Sequence, residues 1–422
     1  MDDNKISLAD LTLSELDAWI AENAPEYVTG YKFRGKQIYG WLGRGARSFD
    51  EMTNLPAGLR SALSARARTG VPAIIGAARS ARDGVVKYAM KTGDGNVIES
   101  VLLRYRHGNA VCVSTQAGCR MGCAFCATRP QSFSRSLAPG EMFGQVAAIA
   151  AIESRAGASR AAIENRAGGD SQAIAHRDGD DGCDGNNDLR KSRMTDEDVN
   201  GGYGQIAAND DINDGCDQSA PNSDSAANGR VSRVVVMGIG EPFDNYDNTL
   251  KFIRLLHDHP DINIGYRRVT VSTCGILPGI LRLADEGLPV GLSLSLNAPR
   301  DDVRSRLMPV NNRYSIDKLI EGCNIYTYKT NRRVTFEYAL IEGVNDAPDD
   351  AREVLRRIRG MLCHVNLIPV NPAANSGFAP SPKERVREFG DILIDGGVQT
   401  TVRRSLGTDI AAACGQLRNS MI

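Results

Sequence analysis

Residues 119–126 read Cys119-Arg120-Met121-Gly122-Cys123-Ala124-Phe125-Cys126, which places three cysteines at the spacing C-x3-C-x2-C. The stretch follows a short apolar segment, Val111 to Thr115, that we predict to be a β-strand. Three thiolates on one tight loop can bind three irons of a 4Fe–4S cluster and leave the fourth iron without a protein ligand. A structural zinc site needs a fourth Cys or His nearby, and the residues directly after Cys126 supply neither. The spacing therefore favours a cluster over zinc and over three unrelated thiols.

The same stretch also has the form C-x3-C-x-Phe-C, because Phe125 directly precedes the last cysteine. This pattern resembles the signature of radical S-adenosylmethionine enzymes. The resemblance implies that Cys119, Cys123 and Cys126 bind the cluster. It also implies that the open iron chelates the amino and carboxylate groups of S-adenosylmethionine.

Strand-like and helix-like segments alternate regularly from Val234 onward. The strand-like segments are short, apolar and rich in β-branched residues. Together with the strand before Cys119 they number six, at residues 111–115, 234–237, 268–273, 290–296, 334–340 and 364–369. Repetition of this kind predicts an α/β fold with a parallel sheet, either open or closed into a barrel.

Active sites in such sheets lie at the carboxyl ends of the strands. The cysteine loop (residues 119–126), Gly240-Glu241, Ser272 and Ser295 to Asn297 all follow or end predicted strands. We therefore expect these four groups to share one site.

Residues 1–95 are predicted to form a separate N-terminal domain, in which helices are followed by short strands. Within it, the segment 31–42 mixes basic and aromatic residues. We interpret this segment as an amphipathic helix with Ile38, Trp41 and Leu42 in the core. The basic side chains left for contact with phosphate are Arg34, Lys36 and Arg44.

Residues 153–230 differ in composition from the rest of the chain, being rich in Asp, Asn, Gly, Ser and Ala. Such a composition buries too little apolar surface to offset the cost of chain ordering, so we predict a disordered surface insertion. It divides the α/β core into residues 96–152 and 231–422. The insertion carries 16 Asp and Glu against 8 Lys and Arg, whereas the remainder carries 42 Lys and Arg against 35 Asp and Glu. The remainder is therefore mildly basic, which suits a polyanionic partner without requiring one.

Several classes of protein are disfavoured by the sequence. No run of about 18 apolar residues is present, so we predict no membrane-spanning helix. The first residues, Met1 to Lys5, are acidic and polar, whereas a signal peptide begins basic and continues apolar. Ten cysteines are too few and too unevenly placed for a disulfide scaffold. We expect a cytoplasmic protein in a reducing compartment, which also suits an iron–sulfur cluster.

Six further stretches carry a closer resemblance. They are Cys112-Val113-Ser114-Thr115-Gln116, Met237-Gly238-Ile239-Gly240-Glu241-Pro242, Val271-Ser272-Thr273, Arg333-Val334-Thr335-Phe336-Glu337-Tyr338, Asn366-Leu367-Ile368-Pro369 and Ala412-Ala413-Cys414-Gly415-Gln416-Leu417. With the cysteine loop, they resemble the bacterial radical methyltransferases that methylate an adenosine of 23S ribosomal RNA. One departure is Asn297, where that family usually has His; Asn forms hydrogen bonds but does not titrate near neutrality.

The resemblance implies a mechanism that uses two cysteines outside the cluster and two molecules of S-adenosylmethionine per turnover. Cys414 takes a methyl group from the first by displacement. The cluster uses the second to generate a radical, which activates the methyl group for addition to C2 of adenine. Cys112 removes the C2 proton and resolves the covalent RNA adduct, leaving a disulfide with Cys414. Glu99 matches a family acid suspected in proton transfer, although a carboxylate in an alternating strand more often faces solvent.

The resemblance also implies roles for other parts of the chain. Residues 1–95 become an RNA-binding accessory domain and the core becomes a partial (β/α)6 barrel. Transfer RNA is implied as a second substrate and flavodoxin as the electron donor, and we expect a monomer. Cys274, Cys323 and Cys363 match nothing catalytic, and we interpret them as packing residues. The implied contacts to S-adenosylmethionine are Gly240, Glu241, Ser272, Ser295, Leu296, Asn297 and Asn371.

Two other functions stay open at this point. One is a sister enzyme that methylates C8 of the same adenosine and confers antibiotic resistance; both enzymes share the five cysteines, so motifs separate them poorly. The basic N-terminal unit favours the C2 enzyme. The other is a sensor that binds the cluster without turnover, and the presence of Cys112 and Cys414 disfavours it.

Overall fold

The structure is a computed structural model that describes residues 5–27, 33–105, 108–129, 131–167, 230–371 and 377–417. Its helices are α1 (Leu13–Asn23), α2 (Arg34–Gly43), α3 (Ala57–Arg66), α4 (Pro139–Ala167), α5 (Tyr246–Asp258), α6 (Leu277–Asp285), α7 (Asp301–Leu307), α8 (Ile316–Thr330), α9 (Pro348–Ile358) and α10 (Lys383–Asp395). Its strands are β1 (Ile6–Ser7), β2 (Ala67–Arg68), β3 (Ala73–Arg79), β4 (Val86–Lys91), β5 (Val97–Tyr105), β6 (Gly108–Cys112), β7 (Gln116–Ala117), β8 (Arg135–Ser136), β9 (Val231–Val236), β10 (Val269–Thr273), β11 (Gly291–Ser295), β12 (Val334–Leu340), β13 (Cys363–Pro369) and β14 (Thr400–Val402).

A ten-stranded sheet in the order β14-β13-β12-β11-β10-β9-β6-β5-β4-β3 organises the described residues. From β6 through β9 to β14, each strand is parallel to the next, which confirms the predicted α/β fold with its six strands. The first of them, predicted at residues 111–115, is β6 and ends at Cys112. Strand β14 adds a seventh parallel strand. The sheet is open, with β14 and β3 at its edges, as expected for a partial barrel.

Strands β5, β4 and β3 extend this sheet beyond β6, each antiparallel to the strand before it in the order. The large sheet therefore includes β3 and β4, which both precede residue 95. The reason is that five of the six residues of β4 are buried, so this strand needs cover on both faces. The helices α1 to α3 have a separate apolar core that includes Leu16, Ile38 and Leu59.

The N-terminal unit is joined to the sheet domain by buried polar contacts. The Asp10 carboxylate accepts a hydrogen bond of 2.7 Å from the amide of Gly140, at the first turn of α4. This contact places a negative charge at a helix N-terminus, where it is stabilising. The ring of His259 lies against Tyr39 and Phe143, and its Nε2 is 2.9 Å from the Tyr39 carbonyl. As predicted for α2, Ile38 and Leu42 are buried, while Trp41 packs against the same core from a partly exposed position.

Helix α4 continues to Ala167, beyond the end near Ile152 that the sequence pattern predicts. Glu153, placed by composition at the start of the insertion, is 3% exposed, and its carboxylate is 2.6 Å from Arg104. Alanine favours helix, so a segment with little apolar content can still extend a helix that is anchored at its other end. The remaining part of the predicted insertion, residues 168–229, lies outside the described residues. Among the helices that the structure does describe, none is long and apolar enough to cross a membrane.

Candidate active site

The cysteine loop leaves the carboxyl edge of the sheet between β6 and α4. The chain beyond Cys112 continues to pair with the end of β9, since Val113 donates to the carbonyl of Val235 at 3.0 Å. It turns at Gly118, whose φ is 80°. A Cβ atom there would lie 2.3 Å from the carbonyl oxygen of Ser132, so only glycine fits.

Cys119, Cys123 and Cys126 are partly exposed on this loop, and their thiols are close enough to influence one another. Burial raises the pKa of Cys119 to about 11, with smaller contributions from Glu241 and Cys126. Burial likewise raises the pKa of Cys123, with Cys126 and Cys119 adding to it. A bound metal reverses this preference, because a coordinating thiol is deprotonated outright. Three cysteines at this spacing on one loop are the residues that would hold a 4Fe–4S cluster with one open iron.

Gly240 and Glu241 follow β9 and border the cysteine loop. Gly240 has a φ of 108°, and a Cβ atom there would lie 2.7 Å from Cβ of Gln116. The Glu241 carboxylate is 3% exposed and accepts hydrogen bonds from the amides of Phe243 (3.0 Å) and Cys274 (2.8 Å). The hydroxyl of Thr273 donates a third at 2.8 Å. Glu241 therefore ties the end of β9 to the end of β10, although burial raises its pKa.

The backbone at the end of β11 is organised by Arg304, which is fully buried. Its guanidinium donates to the carbonyls of Leu296 (2.9 Å), Ser295 (2.9 Å) and Cys274 (2.7 Å). Sequence analysis missed this residue, because an Arg in the polar helix α7 is usually solvated. Ser272, which is half-buried, lies in register with Ser293, two residues before Ser295 on the neighbouring strand β11.

Asn297 occupies a left-handed backbone position, with a φ of 56°. Its Oδ1 accepts a hydrogen bond of 2.8 Å from the amide of Ala339, and its Nδ2 lies 3.3 Å from the sulfur of Met308. Asn is one of the few residues that tolerate this backbone conformation. The departure from His thus preserves both the turn and a buried hydrogen bond.

The C-terminal loop, residues 403–417, is bound to the two residues that directly follow the cysteine loop. Ala127 donates a hydrogen bond of 2.7 Å to the carbonyl of Gly415. The hydroxyl of Thr128 donates another of 2.8 Å to the carbonyl of Leu417. These contacts bring Cys414 to a cavity that is also lined by Cys112, Cys126, Met237, Asn371 and Arg403.

Cys112 and Cys414 differ in their surroundings. Cys112 is buried at the end of β6, and burial raises its pKa to about 12, with a further increase from Cys414 and a decrease from Arg403. Cys414 is exposed. Both are free thiols, so the disulfide implied by the resemblance is not present in the structure.

Glu99 is fully buried on β5, so the expectation that such a carboxylate usually faces solvent does not apply to it. Its Oε1 lies 3.2 Å from Nζ of Lys87. Register places Val101, two residues from Glu99, opposite Cys112. Because residues opposite each other, and residues two apart on a strand, share a face, Glu99 and Cys112 lie on the same face of the sheet.

Other contributors to the site were also missed by sequence analysis. Arg403 lies after β14 with its guanidinium 3.8 Å from the Glu337 carboxylate, and the charge of Cys414 is the largest factor that raises its pKa. Cys274 is buried in an apolar cluster against which Cys123 packs, as interpreted from sequence, and its amide also donates to the Glu241 carboxylate at 2.8 Å. Cys323 is fully buried in the main core, also as interpreted from sequence. Nothing in the sequence marks Arg403 or Cys274 as a contributor to the site, because their contacts are formed between strands that are far apart in the chain.

Comparison with known proteins assigns the chain to a class of enzyme. The family model described as the radical SAM superfamily matches residues 223–358. A crystal structure of a radical SAM methyltransferase from Sphaerobacter thermophilus superimposes with a TM-score of 0.76 and 38% sequence identity, covering 98% of this chain and 99% of that one. The chain is therefore an enzyme of the radical SAM methyltransferase class.

The family within that class follows from the remaining matches. Residues 6–69 match the model described as the ribosomal RNA large subunit methyltransferase N-terminal domain. The probable dual-specificity RNA methyltransferase RlmN of Clostridium tetani is 38% identical, covering 99% of this chain and 97% of the relative. The protein of the same name from Clostridium beijerinckii is 39% identical, covering 99% and 96%. The chain belongs to this RlmN family, which confirms the family inferred from the sequence motifs.

Proposed function

We propose that this protein methylates C2 of an adenosine in 23S ribosomal RNA, and of an adenosine in some transfer RNAs, with Cys414 as the methyl carrier. The observation that supports the proposal most directly is the shared cavity of Cys112, Cys126 and Cys414. It places a cluster-loop cysteine and two further thiols around one space. The names of the relatives, which refer to RNA methyltransferases of dual specificity, support RNA as the substrate.

The chemistry explains why such an arrangement is needed. C2 of adenine is electron-poor and has no lone pair, so it cannot displace a methyl group from S-adenosylmethionine directly. A 4Fe–4S cluster held by Cys119, Cys123 and Cys126, together with S-adenosylmethionine, supplies the one-electron chemistry that activates a methyl carbon. The carboxyl-edge residues that would hold the cofactor are Gly240, Glu241, Ser272, Ser295, Leu296, Asn297 and Asn371.

Cys414 performs the first step, as an exposed thiol that accepts a methyl group by displacement. After the methyl carbon is joined to C2, Cys112 resolves the adduct. The Cys112 thiolate attacks the Cys414 sulfur, and the bond from that sulfur to the methyl-derived carbon breaks. The released electron pair goes to this carbon, which takes up a proton. The resulting disulfide needs two electrons from an external thiol before the next turnover.

We assign removal of the C2 proton to Glu99 instead of Cys112, to which the family resemblance gives it, because Glu99 is a buried carboxylate on the same sheet face as Cys112. Lys36 and Arg44 are exposed on or beside α2 and are assigned to contact RNA phosphate. We further propose a cytoplasmic monomer that receives electrons from a flavodoxin.

The test is nucleoside mass spectrometry of 23S rRNA and tRNA from a strain that lacks the gene, complemented with wild type or with Cys414→Ala. We expect 2-methyladenosine with wild type alone, and equal iron content in the two purified proteins. Recovery of 8-methyladenosine would overturn the regiochemistry, whereas no methylation by the wild type would overturn the activity. Joint loss of iron and activity in Cys414→Ala would make Cys414 a structural residue.

A further inference from the structure

A buried ion pair connects the antiparallel strands to the C-terminal loop. Nζ of Lys87 lies 3.2 Å from Oε1 of Glu99, and the two side chains are 2% and 0% exposed. The same ammonium donates a hydrogen bond of 3.2 Å to the carbonyl of Ala411. A charge pair this deeply buried is retained at a desolvation cost, which further hydrogen bonds must offset. One lysine therefore joins a carboxylate to the loop that carries Cys414.

The position of Lys87 on the sheet places it on the same face as Glu99 and Cys112. Register places Lys87 opposite Val101, and Val101 opposite Cys112, so the three residues form one row across β4, β5 and β6. Residues opposite each other share a face, and Glu99 lies on that face two residues from Val101. The C-terminal loop covers this face, where Ala412 and Leu417 pack against Val101 and Cys112.

The loop is held at the turn that precedes Cys414. Ala411 has a left-handed backbone, with φ 51° and ψ 46°, which directs its carbonyl toward the ammonium. Two further contacts fix the same turn to the end of the β3–β4 hairpin. The amide of Gly407 donates 2.7 Å to Asp83, and the amide of Ala81 donates 3.0 Å to Asp409.

We propose that Lys87 is a positioning residue for the methyl transfer, which holds the Glu99 carboxylate and the Cys414 loop in a fixed relation. The inference rests on the proposed function, in which Glu99 accepts the C2 proton from the adduct on Cys414. In that step the C–H bond breaks, the proton moves to a Glu99 oxygen, and the electron pair stays on the adenine ring. Lys87 gives up no proton; it sets where the acceptor stands relative to the adduct.

The experiment compares Lys87→Met with Lys91→Met, a control on the same strand and face whose side chain is exposed. In single-turnover reactions with an RNA substrate, we expect Lys87→Met to slow collapse of the covalent RNA adduct by at least about tenfold, because a displaced proton acceptor is ineffective. The KM for RNA and the iron content should remain at wild-type values. In cluster-free protein, backbone hydrogen exchange of residues 407–417 should be faster in Lys87→Met than in wild type. It should be unchanged in Lys91→Met.

Two further variants separate positioning from general support of the fold. Lys87→Arg keeps the charge and a donor, and should recover part of the lost rate. The double variant Lys87→Met/Glu99→Gln buries no lone charge, and should be no slower than Glu99→Gln alone, since Lys87 acts through Glu99. If Lys87→Met does not fold, this second comparison decides the question by itself.

Opposite results overturn the proposal. A double variant slower than Glu99→Gln, or a loss in Lys87→Met that appears only as raised KM or lost iron, would make Lys87 a residue of fold stability. Failure of the proposed function is recognised separately, because the wild-type protein would then form no adduct and no methylated RNA.

Discussion

The side-chain amide of Asn371 donates a hydrogen bond of 3.2 Å to the backbone carbonyl of Cys414. Asn371 follows β13 at the carboxyl edge, whereas Cys414 lies on the loop after β14. A residue expected from the family resemblance to contact S-adenosylmethionine thus also holds the loop of the thiol that we propose as the methyl carrier. Cofactor contact and thiol position are therefore linked through one side chain in the proposed reaction.

We expect Asn371→Ala to slow methylation of Cys414 by about fivefold, because a net hydrogen bond of about 1 kcal/mol positions its backbone. Cys414 methylation would be measured by mass spectrometry of the tryptic peptide after short incubation with S-adenosylmethionine. Asn248→Ala is the matched control, since Asn248 forms a hydrogen bond of 2.8 Å to Asn245, outside the assigned site. Equal rates in the two variants would show that the contact to Cys414 has no kinetic role.

Cys112→Ala should trap RNA on the protein, because the adduct on Cys414 then has no thiol to resolve it. A nuclease-sensitive, slowly migrating band on a denaturing gel after expression is the expected result. Cys323→Ala serves as a control, since Cys323 is buried in the main core and away from the cavity. Normal turnover without such a band would leave Cys112 as an ordinary strand residue.

The architecture and much of the candidate site were predictable from local patterns. The alternation of segments predicted the parallel sheet, and the rule on carboxyl ends predicted that Glu241 and the cysteine loop would meet. The contacts of Lys87 and Arg304 were not predictable, because each depends on register or on a backbone path fixed only by the folded sheet. The place of β4 in the large sheet was not predictable for a related reason: alternation indicates a strand but does not show which sheet the strand joins.

Alkylation should distinguish the two thiols outside the cysteine loop. With iodoacetamide near pH 8, we expect labelling of the exposed Cys414 and little of Cys112, whose pKa burial raises to about 12. Raising the pH should increase labelling of Cys112, because its thiolate fraction grows as the pH approaches this pKa. Peptide mass spectrometry after anaerobic labelling measures both sites. Equal labelling near pH 8 would contradict the buried environment of Cys112.

Replacement of residues 168–229 by a Gly/Ser linker of about 20 residues should preserve iron content and methylation. The reason lies in the two elements on either side of this segment, α4 and β9. Strand β9 begins at Val231, at the end opposite the carboxyl edge, and Glu153 anchors α4 through Arg104 well before the cut. The net negative charge of residues 153–230 also disfavours contact with phosphate. Thermal unfolding and rRNA methylation are compared with the parent at matched iron content; a large loss in either would give the segment a role in folding or RNA docking.

Asn297→Ala should lower the free energy of unfolding by roughly 2–4 kcal/mol, because it combines two costs. The buried amide of Ala339 loses its acceptor, which costs about 1–3 kcal/mol, and alanine is strained at a φ of 56° by about 1 kcal/mol. Asn297→Asp keeps the acceptor oxygen and Asn297→His restores the residue usual in the family, so both should remain closer to wild type in thermal unfolding. If Asn297→Ala unfolds at the wild-type temperature, the hydrogen bond to Ala339 contributes nothing to stability. If Asn297→His alone gains methylation activity, the position takes part in proton transfer as well as in the turn.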